Sequence, residues 1–464
     1  MGRMLPAPGN LSVPTPRPPA ATHRMAHNVR VNDPADAFAA LLTPEGRGLL
    51  DSLRDHDPAR ELATATRLRR EHPAELVSAA LGQARLRQRA AAKFGPGDAY
   101  RMYFTPNGVE QATRASVATY RAGRFAALGV RHVADLCCGI GGDAIALARA
   151  GIRVLAVDRD PLTCAVARAN AEALGLAGLI EVRCADVTEV DVSPYDAVFA
   201  DPARRGGRGR VFDPEAYSPP LSWAVGAARR TPYAALKIAP GVPHEAVPDD
   251  AEAEWISDGG DVKEAVLWFA TGPADPAGAG GGAGSGVSGT GAGPGVGFGS
   301  GGPAADGART PAPVPGGRRA TLLPSGASLA GTGLPDPPAG PVGRYLYEPD
   351  GAVIRAHLVA DVAAALGGRL IDPTIAYITA DEPTPTPYAT PYEITDALPF
   401  NLKKLKALLR EREVGHLTVK KRGSAIEPEE LRRKVKPRGP NAATVFLTRV
   451  AGAPAMLTGR PVRG

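Results

Sequence analysis

The sequence predicts an α/β protein: a mostly parallel sheet flanked by helices, with a helical region ahead of it and a small α+β unit behind it. Three observations carry that prediction. The run Val133-Ala134-Asp135-Leu136-Cys137-Cys138-Gly139-Ile140-Gly141-Gly142-Asp143 reads as a short strand, a glycine turn and the start of a helix. Further short apolar strands, Arg153 to Asp158, Ile180 to Cys184 and Tyr195 to Ala200, each run into an acid: Asp158, Asp186 and Asp201. From Glu393 onward the pattern is strand, helix, strand, helix, strand, in a strongly basic stretch.

Each element of the first unit has a local reason. Val133, Ala134 and Leu136 suit a strand covered on both faces. Gly139, Gly141 and Gly142 remove Cβ atoms where the chain turns sharply and a ligand would approach the backbone. The helix from Asp143 to Ala150 points its free N–H groups back at that turn, a setting suited to a carboxylate or phosphate. Asp158 lies about 20 residues past the glycines, where a βαβ unit holds an acid over ribose hydroxyls. The next helix, Thr163 to Leu174, is closed by Gly175. The strand ends share one sheet edge, and open α/β sheets bind ligands at that carboxyl edge. The glycine turn alone also fits a dinucleotide dehydrogenase, with Ala144 in the place of the last glycine of G-x-G-x-x-G.

The run Asp135 to Gly142, with Asp158, Asp186 and Asp201-Pro202, resembles class I S-adenosylmethionine-dependent methyltransferases. The Asp-Pro after the fourth strand separates this reading from a dehydrogenase, because many methyltransferases acting on amino groups carry D/N/S-P-P-aromatic there. In this chain Ala203 stands for the second proline and Arg204 for the aromatic residue, which leaves the target atom open.

The resemblance implies a Rossmann-like seven-stranded methyltransferase sheet over residues 101–330, with S-adenosyl-L-methionine as cofactor. Asp135, Cys137 and the backbone at Gly139 and Gly141 would hold the methionyl end. Asp158 would take the ribose hydroxyls and Asp186 the adenine amino group. Asp201, Pro202 and Arg204 fall where the acceptor enters. Asp201 could accept a hydrogen bond from an exocyclic amino group and aim its lone pair at the methyl group. Arg204 and Arg205 suit a phosphate better than a methyl acceptor, which favours a nucleic-acid substrate. In RNA methyltransferases similar to trimethylguanosine synthase, a Thr-Pro turn ahead of the glycine strand covers the cofactor. Phe104, Thr105 and Pro106 offer such a turn, or else a packed connection between domains.

The rest of the chain is taken in order. Residues 1–34 are rich in Pro, Ala and Arg and are expected to form a disordered tail. Residues 35–100 read as helices, with Thr43 capping a helix that begins at Pro44. Arg85, Arg87 and Arg89 read as a solvated helix face or an RNA contact. After Asp201, a helix is expected from Tyr217 to Arg230 and strands at Ala234–Ala239, Glu252–Ile256 and Val262–Phe269. The last of these is expected to pair with a strand near Ala320–Leu323. Residues 271–317 are almost wholly Gly, Ala, Pro, Ser and Thr and read as a flexible insertion. Residues 331–391 are expected to connect the two main units, with a helix from Ala352 to Leu366 and a strand from Ile375 to Thr379.

Residues 400–464 hold 16 Lys+Arg against 5 Asp+Glu, about +11, whereas the whole chain is only +6. Charge so concentrated is an electrostatic footprint for a polyanion. The run Val419-Lys420-Lys421-Arg422-Gly423 resembles the THUMP-like module of some bacterial methyltransferases, placed at 392–464. THUMP domains are associated with RNA, so the resemblance implies that Lys420, Lys421 and Arg422 dock tRNA or rRNA from a strand-end loop.

Other classes find no support. The eight histidines form no H-E-x-x-H pair, there is no G-x-x-x-x-G-K-[ST] loop, and no metal is expected. The four cysteines, Cys137, Cys138, Cys164 and Cys184, read as reduced thiols, which predicts a cytoplasmic protein. No apolar run approaches the ~20 residues of a membrane span. The alternatives are an RNA-binding protein with a non-catalytic nucleotide domain and a DNA methyltransferase.

Overall fold

The computed structural model describes residues 33–204, 213–271 and 312–462. The first part is helical, with helices at Pro34–Leu41, Pro44–Ser52, Glu61–Leu68 and Ala74–Ala99. Thr43 caps the second as its sequence predicts, its side chain accepting from Gly46 N–H at 3.0 Å. The fourth helix is bent at Gly95, whose φ is 74°, just ahead of Pro96. Leu49, Leu50, Leu76, Val77 and Leu81 of these helices join one buried core with Val133 and Ile145 of the sheet domain.

The strands of the central domain are β1 (His132–Leu136), β2 (Arg153–Asp158), β3 (Ile180–Cys184), β4 (Ala197–Ala200), the short pair β5 (Ala203–Arg204) and β6 (Tyr217–Ser218), β7 (Tyr233–Ile238), β8 (Glu252–Asp258), β9 (Asp261–Ala270), β10 (Arg318–Leu323) and β11 (Ala327–Ala330). The main sheet runs β11-β10-β8-β9-β7-β4-β1-β2-β3. Its seven expected strands are all present, and β10 and β11 extend one edge. Strand β9 runs antiparallel between β7 and β8. The partner expected for β9 is therefore corrected: β10 pairs in parallel with β8, as in Ala320 opposite Trp255. The helix expected from Tyr217 covers only Leu221–Ala228, because Tyr217 and Ser218 pair with Arg204 and Ala203.

A second sheet is built from β12 (Tyr345–Pro349), β13 (Arg369–Asp372), β14 (Ile375–Ala380), β15 (Ala389–Pro399), β16 (Val414–Lys421), β17 (Asn441–Val450) and β18 (Ala453–Pro461), in the order β13-β14-β12-β15-β18-β17-β16. The stretch 331–391, expected to connect through one helix and the strand Ile375 to Thr379, supplies that strand as β14 and also β12, β13 and the start of β15. It also packs on the first domain: Tyr347, Ala352 and Val353 share a core with Trp255 and Leu267. Its single expected helix is two, Gly351–Arg355 and Val359–Ala365, broken at His357, whose φ is +60°. Strands β16 and β17 are parallel, joined through the helix Pro428–Val435. Among the described residues no helix is long and apolar enough to cross a membrane.

Candidate active site

Register places the strand-end acids side by side. Leu136 lies opposite Val157 on one side and Ala200 on the other, and Asp158 lies opposite Cys184. The residues just beyond, Cys137 to Gly142, Asp186 and Asp201-Pro202, therefore converge on one edge. The turn carries its strain there: Cys137 has φ +63°, Gly139 +56° and Gly141 +85°. Only at glycine are such values free of Cβ crowding, so Cys137 marks a point of stored strain. Burial first, then the Asp158 charge, pushes its thiol up, away from thiolate chemistry.

Asp135 is fully buried and neither carboxylate oxygen has a hydrogen-bond partner. Burial, then Asp143 and Asp201, hold its carboxyl well above the usual carboxylate range, with Arg121 opposing them. Asp158 Oδ2 accepts from Gly139 N–H at 3.1 Å and Oδ1 from Asp160 N–H at 3.0 Å, so it also ties the turn to β2. Asp186 is exposed and caps a short helix, Oδ1 accepting from Thr188 N–H and Oγ1 at 2.9 and 2.7 Å. These two bonds hold its carboxyl below the usual range.

Asp201 Oδ2 lies 2.7 Å from Lys237 Nζ, which also donates to Thr113 Oγ1 at 3.0 Å. Burial would lower the Lys237 ammonium, but the carboxylates of Asp201, Glu264 and Asp143 outweigh it and raise it. Pro202 is buried, and Ala203 and Arg204 pair with Ser218 and Tyr217, so the Asp-Pro segment leaves the sheet in extended form. Arg205 lies outside the described residues.

The Thr105-Pro106 turn sits against the glycine turn. Thr105 Oγ1 accepts from Gly108 N–H at 3.0 Å, and a Cβ at Gly108 would come within 2.5 Å of Ile140 Cγ2. Asn170, fully buried, clamps both segments: its Nδ2 donates to Tyr103 O at 3.1 Å and Ile140 O at 2.9 Å, and its Oδ1 accepts from Tyr103 N–H at 2.6 Å. From the helical region, Gln83 exchanges two hydrogen bonds with the Phe104 backbone, and Arg87 Nε donates to Met102 O at 2.9 Å. This corrects the solvated-face reading of Arg87, which is buried. Arg85 and Arg89 are exposed and pair with Glu61 and Glu110.

A buried ion network supports the edge from below. Arg121 bridges Asp143 and Glu264 and lies over the Phe199 ring at 4.4 Å. Arg124 bridges Glu252 and Glu254, and Arg319 also holds Glu252 at 2.9 Å. Sequence reading missed this network, and it missed Lys237, Thr113, Asn170 and Gln83. Lys237 carried a usable signal, since a charge inside the apolar strand Ala234-Ala235-Leu236-Lys237-Ile238 must be paired.

The basic unit differs from its expectation. Lys420 and Lys421 lie in β16, not in a loop, and carboxylates of this chain pair with both of them. Lys420 pairs with Glu348, Lys421 with Glu427, and Arg422 lies 4.0 Å from Glu348 and 5.1 Å from the Tyr377 ring centroid.

An edge with a strained glycine turn, a buried acid and an Asp-Pro after the fourth strand, on the order β3-β2-β1-β4-β7-β9-β8, defines a class I methyltransferase domain. Residues 133–203 match the methyltransferase domain family, residues 389–461 the THUMP domain-like family, and residues 33–90 a domain of unknown function. An uncharacterised S-adenosylmethionine-dependent methyltransferase of Mycobacterium tuberculosis is 33% identical over 376 residues, 79% of this chain and 90% of the relative. The chain belongs to that family of S-adenosylmethionine-dependent methyltransferases, with a C-terminal THUMP-like domain. A crystal structure of a Porphyromonas gingivalis W83 protein, provisionally called a methyltransferase, shares the fold: TM-score 0.69 at 20% identity, over 93% of this chain and 99% of that one. A shorter match, 35% identical over 81 residues, covers 16% of this chain and 18% of a 23S rRNA (uracil(1939)-C(5))-methyltransferase of Acidithiobacillus ferrooxidans.

The residues at the edge fit S-adenosylmethionine. The unpartnered, buried Asp135 carboxylate suits a cationic group, and a Cβ at Gly139 would meet nothing within 4 Å, so the turn is open to a ligand.

Proposed function

We propose that the protein methylates a base in RNA, either tRNA or rRNA. The observation that carries the RNA reading is the helix Leu402–Glu411, which exposes Lys403, Lys404, Lys406 and Arg410 in the THUMP-like unit. Among the described residues none of these four is ion-paired, while the neighbouring carboxylates Asp396 and Glu427 serve Arg412 and Lys421. An unneutralised row of cations on one helix face is what a phosphate backbone recognises. The local likeness to an rRNA methyltransferase points the same way.

In this reading S-adenosylmethionine supplies, when bound, the electrophilic methyl group for an in-line displacement. Asp135 and the backbone from Cys137 to Gly141 hold the methionyl end. Asp158 takes the ribose hydroxyls with the lone pairs its two backbone bonds leave free, and Asp186 reads the adenine. The Thr105 turn, clamped by Asn170 and Gln83, excludes water. Asp201, held in place by Lys237, accepts an N–H from the acceptor amino group and aims its lone pair. Pro202 fixes the chain at that point, and Arg204 and Arg205 meet the flanking phosphates. Lys420, Lys421 and Arg422 brace β16 behind the docking helix.

The test is mass mapping of RNA modifications in a deletion strain. One methylated base should be missing, and it should return with the wild-type gene and not with Asp201→Ala. Intact RNA with a methyl group missing from DNA would move the substrate to DNA. RNA binding with no missing methyl group anywhere would leave a non-catalytic RNA-binding protein.

A further inference from the structure

A second cavity opens on the same carboxyl edge, between the loop after β7 and the helix Gly351–Arg355. It has a volume of about 520 Å³ and its lining includes Val242, His244, Ile354, Arg355, His357 and Arg422. Cavities of that size take ligands as large as a nucleotide. Its polar lining is basic throughout. Arg355 is exposed and, among the described residues, has no carboxylate partner. The acid nearest Arg422 is Glu348, 4.0 Å away and already held by Lys420.

The two imidazoles stack face to face, with centroids 3.8 Å apart and planes 19° apart. His244 in turn stacks on Trp255 at 5.0 Å, and its buried Nδ1 has no hydrogen-bond partner. Arg318 lies 5.9 Å from the same Trp255 ring, with Nη1 buried and unpartnered. Burial, then His357 and Arg318, hold the His244 imidazolium down, opposed by a hydrogen bond to the Arg355 backbone and then by Glu245. His357 keeps a left-handed backbone that a β-carbon disfavours. Two Arg side chains and a stacked imidazole pair line one cavity whose lining includes no carboxylate, so its field favours an anion.

We propose that this cavity is an anion site that binds a phosphate group, held by Arg355, Arg422 and His357 against His244. It is separate from Asp201 and from the docking helix, and it stands whether or not the methyl acceptor is RNA. The phosphate comes either from an RNA backbone or from a free phosphate compound.

The test is a proton NMR titration of the histidine Cε1–H signals in the full-length protein. The probes are inorganic phosphate, guanosine 5′-monophosphate, guanosine and an RNA hexamer. Phosphate-bearing probes should move the His244 and His357 signals and raise the pH at which they titrate, and guanosine should not. Arg355→Glu should weaken guanosine 5′-monophosphate about tenfold or more, with S-adenosylmethionine affinity unchanged as the folding control. Displacement of guanosine 5′-monophosphate by the hexamer assigns the site to an RNA backbone. Binding without displacement assigns it to a free phosphate compound. Signals that ignore every phosphate probe, or that respond equally to guanosine, overturn the proposal, as does an Arg355→Glu protein that binds like wild type. Methyl transfer is not read, so failure of the RNA reading leaves this result intact.

Discussion

Lys237 Nζ lies 2.7 Å from Asp201 Oδ2, which joins the carboxyl end of β7 to the residue at which, in the reading proposed above, the acceptor enters. Asp201→Ala should therefore lose methyl transfer while S-adenosylmethionine affinity, measured by calorimetry, stays at the wild-type value. Equal loss of both would make Asp201 a structural turn residue. Lys237→Met leaves Asp201 without its cation partner and should lower kcat while S-adenosylmethionine affinity holds, whereas Lys237→Arg, which keeps a cation there, should retain more of the rate.

The buried Asp135 carboxyl sits above its usual range, so in acid it is neutral and attracts no cation. Raising the pH ionises it, and only then does it favour a sulfonium. S-adenosylmethionine affinity should rise with pH, while S-adenosylhomocysteine, which has a neutral sulfur, should show a smaller rise. Asp135→Asn should flatten the difference. Calorimetry of both ligands across pH checks this.

Asp158 has two duties, which two variants separate. Its charge-assisted bonds to ribose would contribute ~1.5–3 kcal/mol each, so Asp158→Ala should weaken S-adenosylmethionine about tenfold or more. Asp158→Asn keeps one acceptor oxygen for the turn and should retain more of the melting temperature. Wild-type protein that binds NAD instead of S-adenosylmethionine would contradict the assignment.

Asn170 satisfies three buried backbone groups on two separate segments. Asn170→Ala leaves them without partners, at a cost of about 3 kcal/mol. Urea denaturation should show that loss, and the S-adenosylmethionine KM should rise because the Thr105 turn no longer rests on Ile140.

The basic unit offers a direct contrast. Lys403, Lys404 and Lys406 are exposed and unpaired among the described residues, so replacing all three with Ala should flatten the log–log salt slope of RNA binding by about two to three units. Of Lys420, Lys421 and Arg422, the two lysines are paired with Glu348 and Glu427, so replacing all three should change the slope less and the melting temperature more. Filter binding over a salt series reads both. Equal slopes in the two triple variants would remove the docking role from the helix.

The central sheet was readable because its signals are local. Glycines at Gly139 and Gly141, short apolar strands and terminal acids all lie within one stretch of chain. Neighbours across the sheet were not readable. Periodicity identified β9 as a strand, but nothing in Val262–Phe269 says that it slips between β7 and β8. In the second sheet Ile375 to Thr379 was readable as a strand, but β12 and β13 were missed because they are separated from β16 by some of the most Pro-rich parts of the chain. The clamp on the Thr105 turn comes from Gln83 and Asn170, polar residues inside apparently ordinary helices, and only burial gives them away. The basic run at Lys420 was misread because its carboxylate partner Glu348 lies 72 residues earlier.

The buried ion pairs of Arg121 with Glu264, and of Arg124 and Arg319 with Glu252 and Glu254, have a consequence for how this family can vary. Removing one member strands an opposite charge in the interior, at about 3–5 kcal/mol, whereas exchanging a whole pair for apolar residues is close to neutral. Drift at these positions should therefore be concerted. Across homologues, an apolar residue in place of Arg124 should coincide with an apolar residue at Glu254, since Glu252 keeps Arg319 as its partner, and lineages with only one of the two changed should be missing. Such covariation would link the helix Ala115–Ala127 to β8 without any knowledge of the fold.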